Sequence, residues 1–350
     1  MSRTLVITND FPPRRGGIEN FVYSICAAMN PEEVVVYTSR TPGDDEFDRT
    51  LAFPVLRDRA RVLLPTPRVA RRAQQIAREH GCDRVVFGAA APLGLLARGL
   101  RNRTGATHLA AITHGHEVWW AKVPVARQAL RRIADEVDVV TYVSEFCRER
   151  IAPALSPAAR TRMQRLSPTV DTNRFHPGVD GSQWRRRLGI GPDIPVVLSA
   201  SRLVRRKGQD VLIKAWPGVR CTFPDARLVI AGDGPSRRRL HRLATSVGVA
   251  GSVCFIGSQF WEEMPAIYAM ADMFVLPCRT RLWGLEVEAF GMVFLEAASA
   301  GLPVVAGDSG GAPQTAQSIG GTVVDPCSSF AVATEIARKL DGRDRAIRHS

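Results

Sequence analysis

Two series of short, branched apolar runs, each run followed by a polar segment of helix length, govern what this 350-residue chain can become. The first series occupies residues 4–8, 34–37, 84–87, 108–112 and 137–143. The same rhythm restarts at 196–200 and continues through 228–231, 253–256, 273–276, 303–306 and 321–324. Strands alternating with helices in this way specify a doubly wound parallel sheet. Between the two series, residues 168–181 are rich in Pro, Gly and Asn, the composition of a connector. The expectation is therefore an α/β protein of two domains, 1–170 and 195–350, joined by a linker at 171–194 and leaving a cleft between two similar sheets. The length suits two cores of roughly 150 to 200 residues each.

In the second series, Glu286-Val287-Glu288-Ala289-Phe290-Gly291-Met292-Val293-Phe294-Leu295-Glu296-Ala297 sets two acids, Glu288 and Glu296, around a Phe290-Gly291 hinge. A loop ending at Gly291 and a helix starting at Met292 would leave free N–H groups near Val293 and Phe294, a positive end suited to a diphosphate. Carboxylates accept hydrogen bonds from hydroxyls, so the loop acid Glu288 suits a donor sugar and the helix acid Glu296 a ribose. A half-buried helix with two surface glutamates is the plain alternative.

Directly after the run at 196–200, Ser201-Arg202-Leu203-Val204-Arg205-Arg206-Lys207-Gly208 puts Arg202 and Lys207 at a strand's carboxyl end, where open α/β sheets bind ligands. Arg offers a fork and Lys a point charge, and a diphosphate uses both. Only four of the 47 basic residues are lysines, which singles out Lys207 inside an arginine-rich loop. A solvated basic turn stays open as the other reading. Near the start, the loop that follows the first run carries Gly16-Gly17, and paired glycines let a backbone approach a phosphate closely. Neither Gly-x-Gly-x-x-Gly nor the Walker lysine pattern is present, so a dinucleotide or ATP site loses its main support. His114 and His116, with Glu117 beside them, follow the run at 108–112. No third ligand stands at a recognisable spacing, so no metal site is expected.

Together, Gly16-Gly17, His114 in Thr-His-Gly-His-Glu, Ser144-Glu145, Arg202 with Lys207, Gly232-Asp233-Gly234-Pro235 and the Glu288/Glu296 pair resemble the retaining glycosyltransferases of family 4, which have the GT-B architecture, over nearly the whole chain. The stretches Pro277-Cys278-Arg279-Thr280-Arg281, Gly284-Leu285-Glu286-Val287-Glu288 and Ala306-Gly307-Asp308-Ser309-Gly310-Gly311-Ala312-Pro313 most resemble the actinobacterial GDP-mannose-dependent mannosyltransferases of phosphatidylinositol mannoside synthesis, the PimB-like group. The resemblance implies that residues 1–170 receive the acceptor and residues 195–350 the nucleotide sugar. It further implies transfer of mannose with retention from GDP-mannose to a phosphatidylinositol mannoside, with no cofactor and no metal. The Asp-x-Asp motif of metal-dependent GT-A transferases is absent. By the same resemblance, the Gly16-Gly17 loop meets the donor diphosphate and the acceptor, and His114 faces the donor sugar at its 6-hydroxyl. Glu288 orients the sugar's hydroxyls and need not act as a nucleophile, and Trp261 follows a strand where relatives hold the base. A structural His114 and a core Trp261 remain the alternatives. Two features depart from the family pattern. Leu282-Trp283 stands in a loop that is usually glycine-rich, and the sequence ends at Arg345-Ala346-Ile347-Arg348-His349-Ser350, ahead of a segment that in most members crosses back to the first domain. The second departure marks either a short variant of the family or a looser tie between domains.

Charge bears on location and partners. Of a net charge of +13, seven arginines fall at 57, 59, 61, 68, 71, 72 and 78, with Val62, Leu63, Leu64, Val69 and Ile76 among them. Such a basic amphipathic segment can lie on an anionic bilayer, each basic residue contributing about 1 kcal/mol; a solvated helix face is the alternative. Nucleic-acid-binding signatures are absent and aromatics make up 7% of residues, so no nucleic acid is expected. Seven scattered cysteines without Cys-x-x-Cys spacing read as reduced thiols of a cytosolic protein. No signal-peptide pattern and no apolar run of roughly 20 residues occurs, so the expectation is a cytoplasmic protein, peripheral at the inner face of the membrane. Rival readings are another nucleotide-sugar donor or a soluble acceptor, a nucleotide-sugar 2-epimerase, and a non-catalytic scaffold derived from a transferase.

Overall fold

Strand β1 (Thr4–Thr8) is buried along its whole length, as a central strand covered on both faces must be. In the computed structural model, which describes the backbone of residues 2–348 and the side chains of residues 2–342, the chain forms two compact units, Met1–Pro168 and Thr169–Ser350. The first contains β1, β2 (Val34–Ser39), β3 (Val55–Asp58), β4 (Arg84–Phe87), β5 (His108–Ile112), β6 (Val139–Tyr142) and β7 (Met163–Arg165). All pair in parallel, in the order β3-β2-β1-β4-β5-β6-β7. The second contains β8 (Val196–Ala200), β9 (Arg227–Ala231), β10 (Val253–Gly257), β11 (Met273–Leu276), β12 (Val304–Gly307) and β13 (Thr322–Val324), also parallel, in the order β10-β9-β8-β11-β12-β13. In each sheet the chain winds outward from the first strand and then returns to its other side. This places a switch point between β1 and β4 and another between β8 and β11, where loops at the carboxyl ends diverge and ligands bind.

The doubly wound α/β fold follows the apolar rhythm of the sequence, with two additions. Strands β3, Val-Leu-Arg-Asp, and β7, Met-Gln-Arg, are sheet edges whose polar content hides them from a search for apolar runs. The basic segment is accordingly divided: Arg57 belongs to β3, and the helix begins only at Pro67, running to Glu79 with Thr66 as its N-cap. The stretch read as a linker is largely part of the second unit. Phe175, Trp184 and Ile190 enter that unit's core, and Arg185 bonds the Met270 carbonyl at 2.8 Å and Asp272 at 3.0 Å. Asp272 also accepts from the β8 amide of Val196 at 2.7 Å. On the opposite face of this sheet, Trp216 of helix Gln209–Thr222 is fully buried, its indole N–H donating to Ser252 Oγ at 3.1 Å. Val332, Ile336 and Leu340, spaced one helical turn apart on helix Ser329–Arg348, close this side of the core. The side chains of the terminal stretch 345–350, on which the expectation of a looser domain tie rests, lie outside the described residues.

Candidate functional site

At the β8/β11 switch point the loop after β8 turns through a 3-10 segment, Arg205–Lys207, into helix Gln209–Thr222. Gly208 makes this turn with φ 75°, and a Cβ there would lie 1.9 Å from the Pro277 carbonyl oxygen of the β11 loop. Only glycine allows that approach. The loops are also joined by Arg279 N–H donating to the Arg206 carbonyl at 2.8 Å. This contact carries Lys207 and Arg206 to the buried Glu288. Lys207 Nζ stands 2.5 Å and Arg206 Nη1 3.0 Å from Glu288 Oε2, and Arg206 also donates to the Val287 carbonyl at 3.2 Å. The backbone of Glu288 is fixed as well, its amide donating to Ser309 Oγ at 3.2 Å and its carbonyl accepting from Gly311 at 2.8 Å. Burial pushes the Glu288 carboxyl up, but the charges and hydrogen bonds of Lys207 and Arg206 outweigh it and hold the group below the ordinary carboxylate value. Both side-chain bonds fall on Oε2. No described residue hydrogen-bonds Oε1, which leaves it for a hydroxyl of a ligand.

Three residues on, Gly291 adopts φ 90° and starts helix Met292–Ser299 without a side-chain cap. The first-turn amides of Met292 and Val293 have no hydrogen-bond partner among the described residues, whereas Phe294 N–H donates to the Gly291 carbonyl at 3.0 Å. Val293 thus keeps an amide free for an anion; the amide of Phe294 is engaged, and its ring is core, edge-on to Phe274. Glu296, one turn along, is nearly buried and receives the Tyr268 hydroxyl at 2.7 Å. Burial raises the Glu296 carboxyl despite that bond, the direction opposite to Glu288. Tyr268, itself fully buried against Phe175 and Phe274, fixes the rotamer of Glu296. Arg202 points outward, with no side-chain hydrogen bond or ion pair among the described residues. Trp261 is partly buried on the core, and one face of its ring carries the Arg174 guanidinium at 3.8 Å, which occupies a surface on which a base would stack.

In the first unit, β1 leads into the loop 9–17. Gly17 opens helix Gly17–Ala27, and a side chain there would meet nothing within 4 Å, while a Cβ on Gly16 would fall 2.2 Å from the Glu19 carboxylate. The loop is fastened to the segment after β3. Asn9 exchanges two hydrogen bonds with the Leu63 backbone, at 2.6 and 3.0 Å, Arg57 donates to the Pro12 carbonyl at 2.6 Å, and Arg14 reaches the Arg61 carbonyl. His114 follows β5 and is buried, its Nε2 2.5 Å from the Gly88 carbonyl. A carbonyl only accepts, so Nε2 carries the proton and Nδ1 is left to accept. Glu117 Oε2 receives the amides of His114 and Gly115 at 3.0 and 3.2 Å, fixing the turn. Burial lowers the His114 pKa and keeps the ring neutral at pH 7.

Comparison with known proteins decides the family. A mannosyltransferase of Mycolicibacterium smegmatis, named as GDP-mannose-dependent alpha-(1-6)-phosphatidylinositol monomannoside mannosyltransferase, is 47% identical over 348 residues, covering 98% of this chain and 90% of that protein. The chain belongs to glycosyltransferase family 4. The Glycosyltransferase Family 4 pattern matches residues 15–174 of this family 4 protein, and the Glycosyl transferases group 1 pattern matches residues 180–349. A Corynebacterium glutamicum protein named as GDP-mannose-dependent monoacylated alpha-(1-6)-phosphatidylinositol monomannoside mannosyltransferase is 45% identical over 327 residues, 92% of this chain and 84% of its own length. Among solved structures, Anabaena HepE in complex with UDP and glucose superposes with a TM-score of 0.80 at 20% identity, over 98% of this chain and 91% of that one. This likeness shows the GT-B fold. Of the residues singled out in the sequence of this family 4 protein, Lys207 and Glu288 meet directly. Arg206, Tyr268 and Ser309 carry no local sequence signal: Arg206 is one arginine among three in its loop, and the partners of the other two lie 28 and 21 residues away in the chain.

Proposed function

We propose that this transferase moves mannose from GDP-mannose, with retention of anomeric configuration, onto a phosphatidylinositol mannoside at the cytoplasmic face of the membrane. The observation that carries the reading is the buried Lys207–Glu288–Arg206 cluster beside the uncapped helix at Val293. It joins a fixed, ionised carboxylate suited to sugar hydroxyls with positive groups suited to a diphosphate. The donor and acceptor are those named for the relatives that match this chain along its length. In the second unit, Lys207, the exposed Arg202 and the amide of Val293 stabilise the leaving diphosphate. Glu288 orients the sugar through Oε1, and Glu296 takes the ribose hydroxyls. Retention requires the acceptor to approach the face from which the diphosphate departs, so stabilising that charge is the main task of the site. Among the described residues no three His, Cys, Asp or Glu side chains gather where they could hold a metal ion. Turnover is expected to persist in excess EDTA; loss of activity on chelation, restored by magnesium or manganese, would contradict this assignment.

Membrane attachment is part of the same proposal. Among the described residues no helix is long and apolar enough to cross a membrane. Val62 and Leu64 are more than half exposed on the loop clamped by Asn9, and Arg59, Arg61, Arg71 and Arg78 surround them in sequence with exposed side chains. Arg68 does not belong to this set. It makes two 2.8 Å bonds to the buried Asp58, whose carboxyl falls to about 2 as these bonds, with that of Tyr37, outweigh burial. Changing Arg59, Arg61 and Arg71 together to Ser is therefore expected to weaken binding to phosphatidylinositol-containing vesicles about tenfold or more at low salt, with donor affinity unchanged. The difference should shrink at physiological salt, where charges are screened over about 8 Å. Equal vesicle binding by parent and variant would remove this surface from the account.

A further inference from the structure

The turn that leads into Glu288 ends in a tip unlike the rest of the described chain. Leu282 and Trp283 have φ of 49° and 50°, the only non-glycine residues among those described in the left-handed region. Bulky side chains are outliers there, and such strain persists only where the surroundings impose it. Trp283 is 95% exposed and Leu282 50%. Both strain and exposure of an indole to water oppose this arrangement, and neither improves the fold. The tip is nevertheless held firmly. Arg281 N–H donates to the Glu286 carbonyl at 2.9 Å, Glu286 N–H returns to the Arg281 carbonyl at 3.2 Å, and their side chains pair at 2.7 Å. Two residues further, Glu288 is fixed by Ser309 and Gly311.

We infer that Trp283 is a specificity-determining platform for the acceptor, on which the apolar face of a polyol ring, a sugar or an inositol, packs against the indole. The inference deepens the transferase reading and rests on it for the identity of the ring. A six-membered polyol ring presents C–H bonds on one face, and these polarised hydrogens are drawn to the negative face of an aromatic ring. Glu286, on the same clamped turn and with its side chain 40% exposed, supplies a carboxylate for the ring's hydroxyls. A bilayer suits the tip less well. Two residues offer little apolar area, Glu286 repels anionic headgroups, and insertion into lipid needs no such rigid clamp, whereas stacking does.

Glycine relieves a positive φ, so W283G removes the platform without adding backbone strain, and a melting curve of the variant separates loss of fold from loss of the platform. The probes are phosphatidylinositol monomannoside in vesicles and its deacylated, water-soluble form. With both, W283G is expected to raise the acceptor KM about tenfold while calorimetric donor affinity holds, and W283F to recover most of the loss. Titrating the deacylated headgroup into the GDP-loaded protein reads the platform without turnover, and W283G should weaken that binding to the same degree. Unchanged KM and unchanged headgroup affinity, or a parent that binds no headgroup, would overturn the proposal. A loss confined to vesicles would overturn it in favour of a bilayer contact. A parent that binds the headgroup through Trp283 yet transfers no mannose would leave the platform standing and refute the mannosyltransferase reading alone.

Discussion

Replacing Glu288 by Gln is expected to lower turnover on the order of a hundredfold, because misplacement of a reacting group by about 1 Å costs that much. GDP affinity should hardly change, since the role proposed for Glu288 is with the sugar and not with the diphosphate. The same change should destabilise the ligand-free second unit. Lys207 is buried and Arg206 only one-third exposed, so a neutral amide leaves their charges without a counterion. Breaking a buried pair costs roughly 3 to 5 kcal/mol; the lower figure applies because Arg206 can turn toward water. For a unit of this size that corresponds to a fall in melting temperature of roughly 6 to 12 °C. The pH dependence has a definite sign. The folded pKa of Glu288 lies below its ordinary value of 4.5, so its contribution is fully present above that value and is lost as pH falls through the folded pKa. The gap in stability between parent and Glu288→Gln should therefore be constant near neutrality and close on acidification. A gap that instead widens in acid, or a variant with normal turnover, would show that the carboxylate does not act as described.

Lys207→Ala is expected to produce the complementary pattern. It removes the charge-assisted contact proposed to the diphosphate, worth roughly 1.5 to 3 kcal/mol, so affinity for GDP and for GDP-mannose should fall at least tenfold. Glu288 keeps Arg206 at 3.0 Å, which limits the loss of stability. Lys207→Arg should restore little, because the pocket holds a compact ammonium 2.5 Å from Glu288 and a planar fork cannot occupy the same point. Calorimetry with GDP decides the matter, and diphosphate affinity equal to the parent's would mean that Lys207 only neutralises Glu288.

How much of this was legible in the sequence depends on what kind of contact each residue makes. The strands of both sheets declare themselves through apolar runs because their side chains are buried on both faces; β3 and β7, at an edge, carry Arg57, Gln164 and Arg165 and do not. Lys207 stood out because lysine is rare in this chain, and Glu288 because a hinge follows it. Arg206 did not stand out. Its selection over Arg202 as the partner of Glu288 comes from the turn at Gly208 and the backbone bond between Arg279 and Arg206, which no local pattern encodes. Tyr268 is a similar case, an unremarked aromatic until helix Met292–Ser299 brings Glu296 to its hydroxyl. Trp261 has the aromatic character that base stacking needs, but Arg174, 87 residues earlier, covers one face of its ring at 3.8 Å. Residues 171–194 read as a linker because Pro and Gly dominate their start, while Phe175, Trp184 and Ile190, which fasten them to the core, are too sparse to form a periodic signal.

The central claim is tested most directly by following the protein with GDP-mannose labelled at the anomeric carbon and phosphatidylinositol monomannoside in vesicles, and reading the product by NMR. The account predicts one new mannosyl linkage of α configuration, as in the donor, formed only when both substrates are present and in the presence of EDTA. A β linkage, conversion of the donor to another sugar without acceptor, or no transfer to the mannoside under conditions where GDP-mannose binds would contradict it.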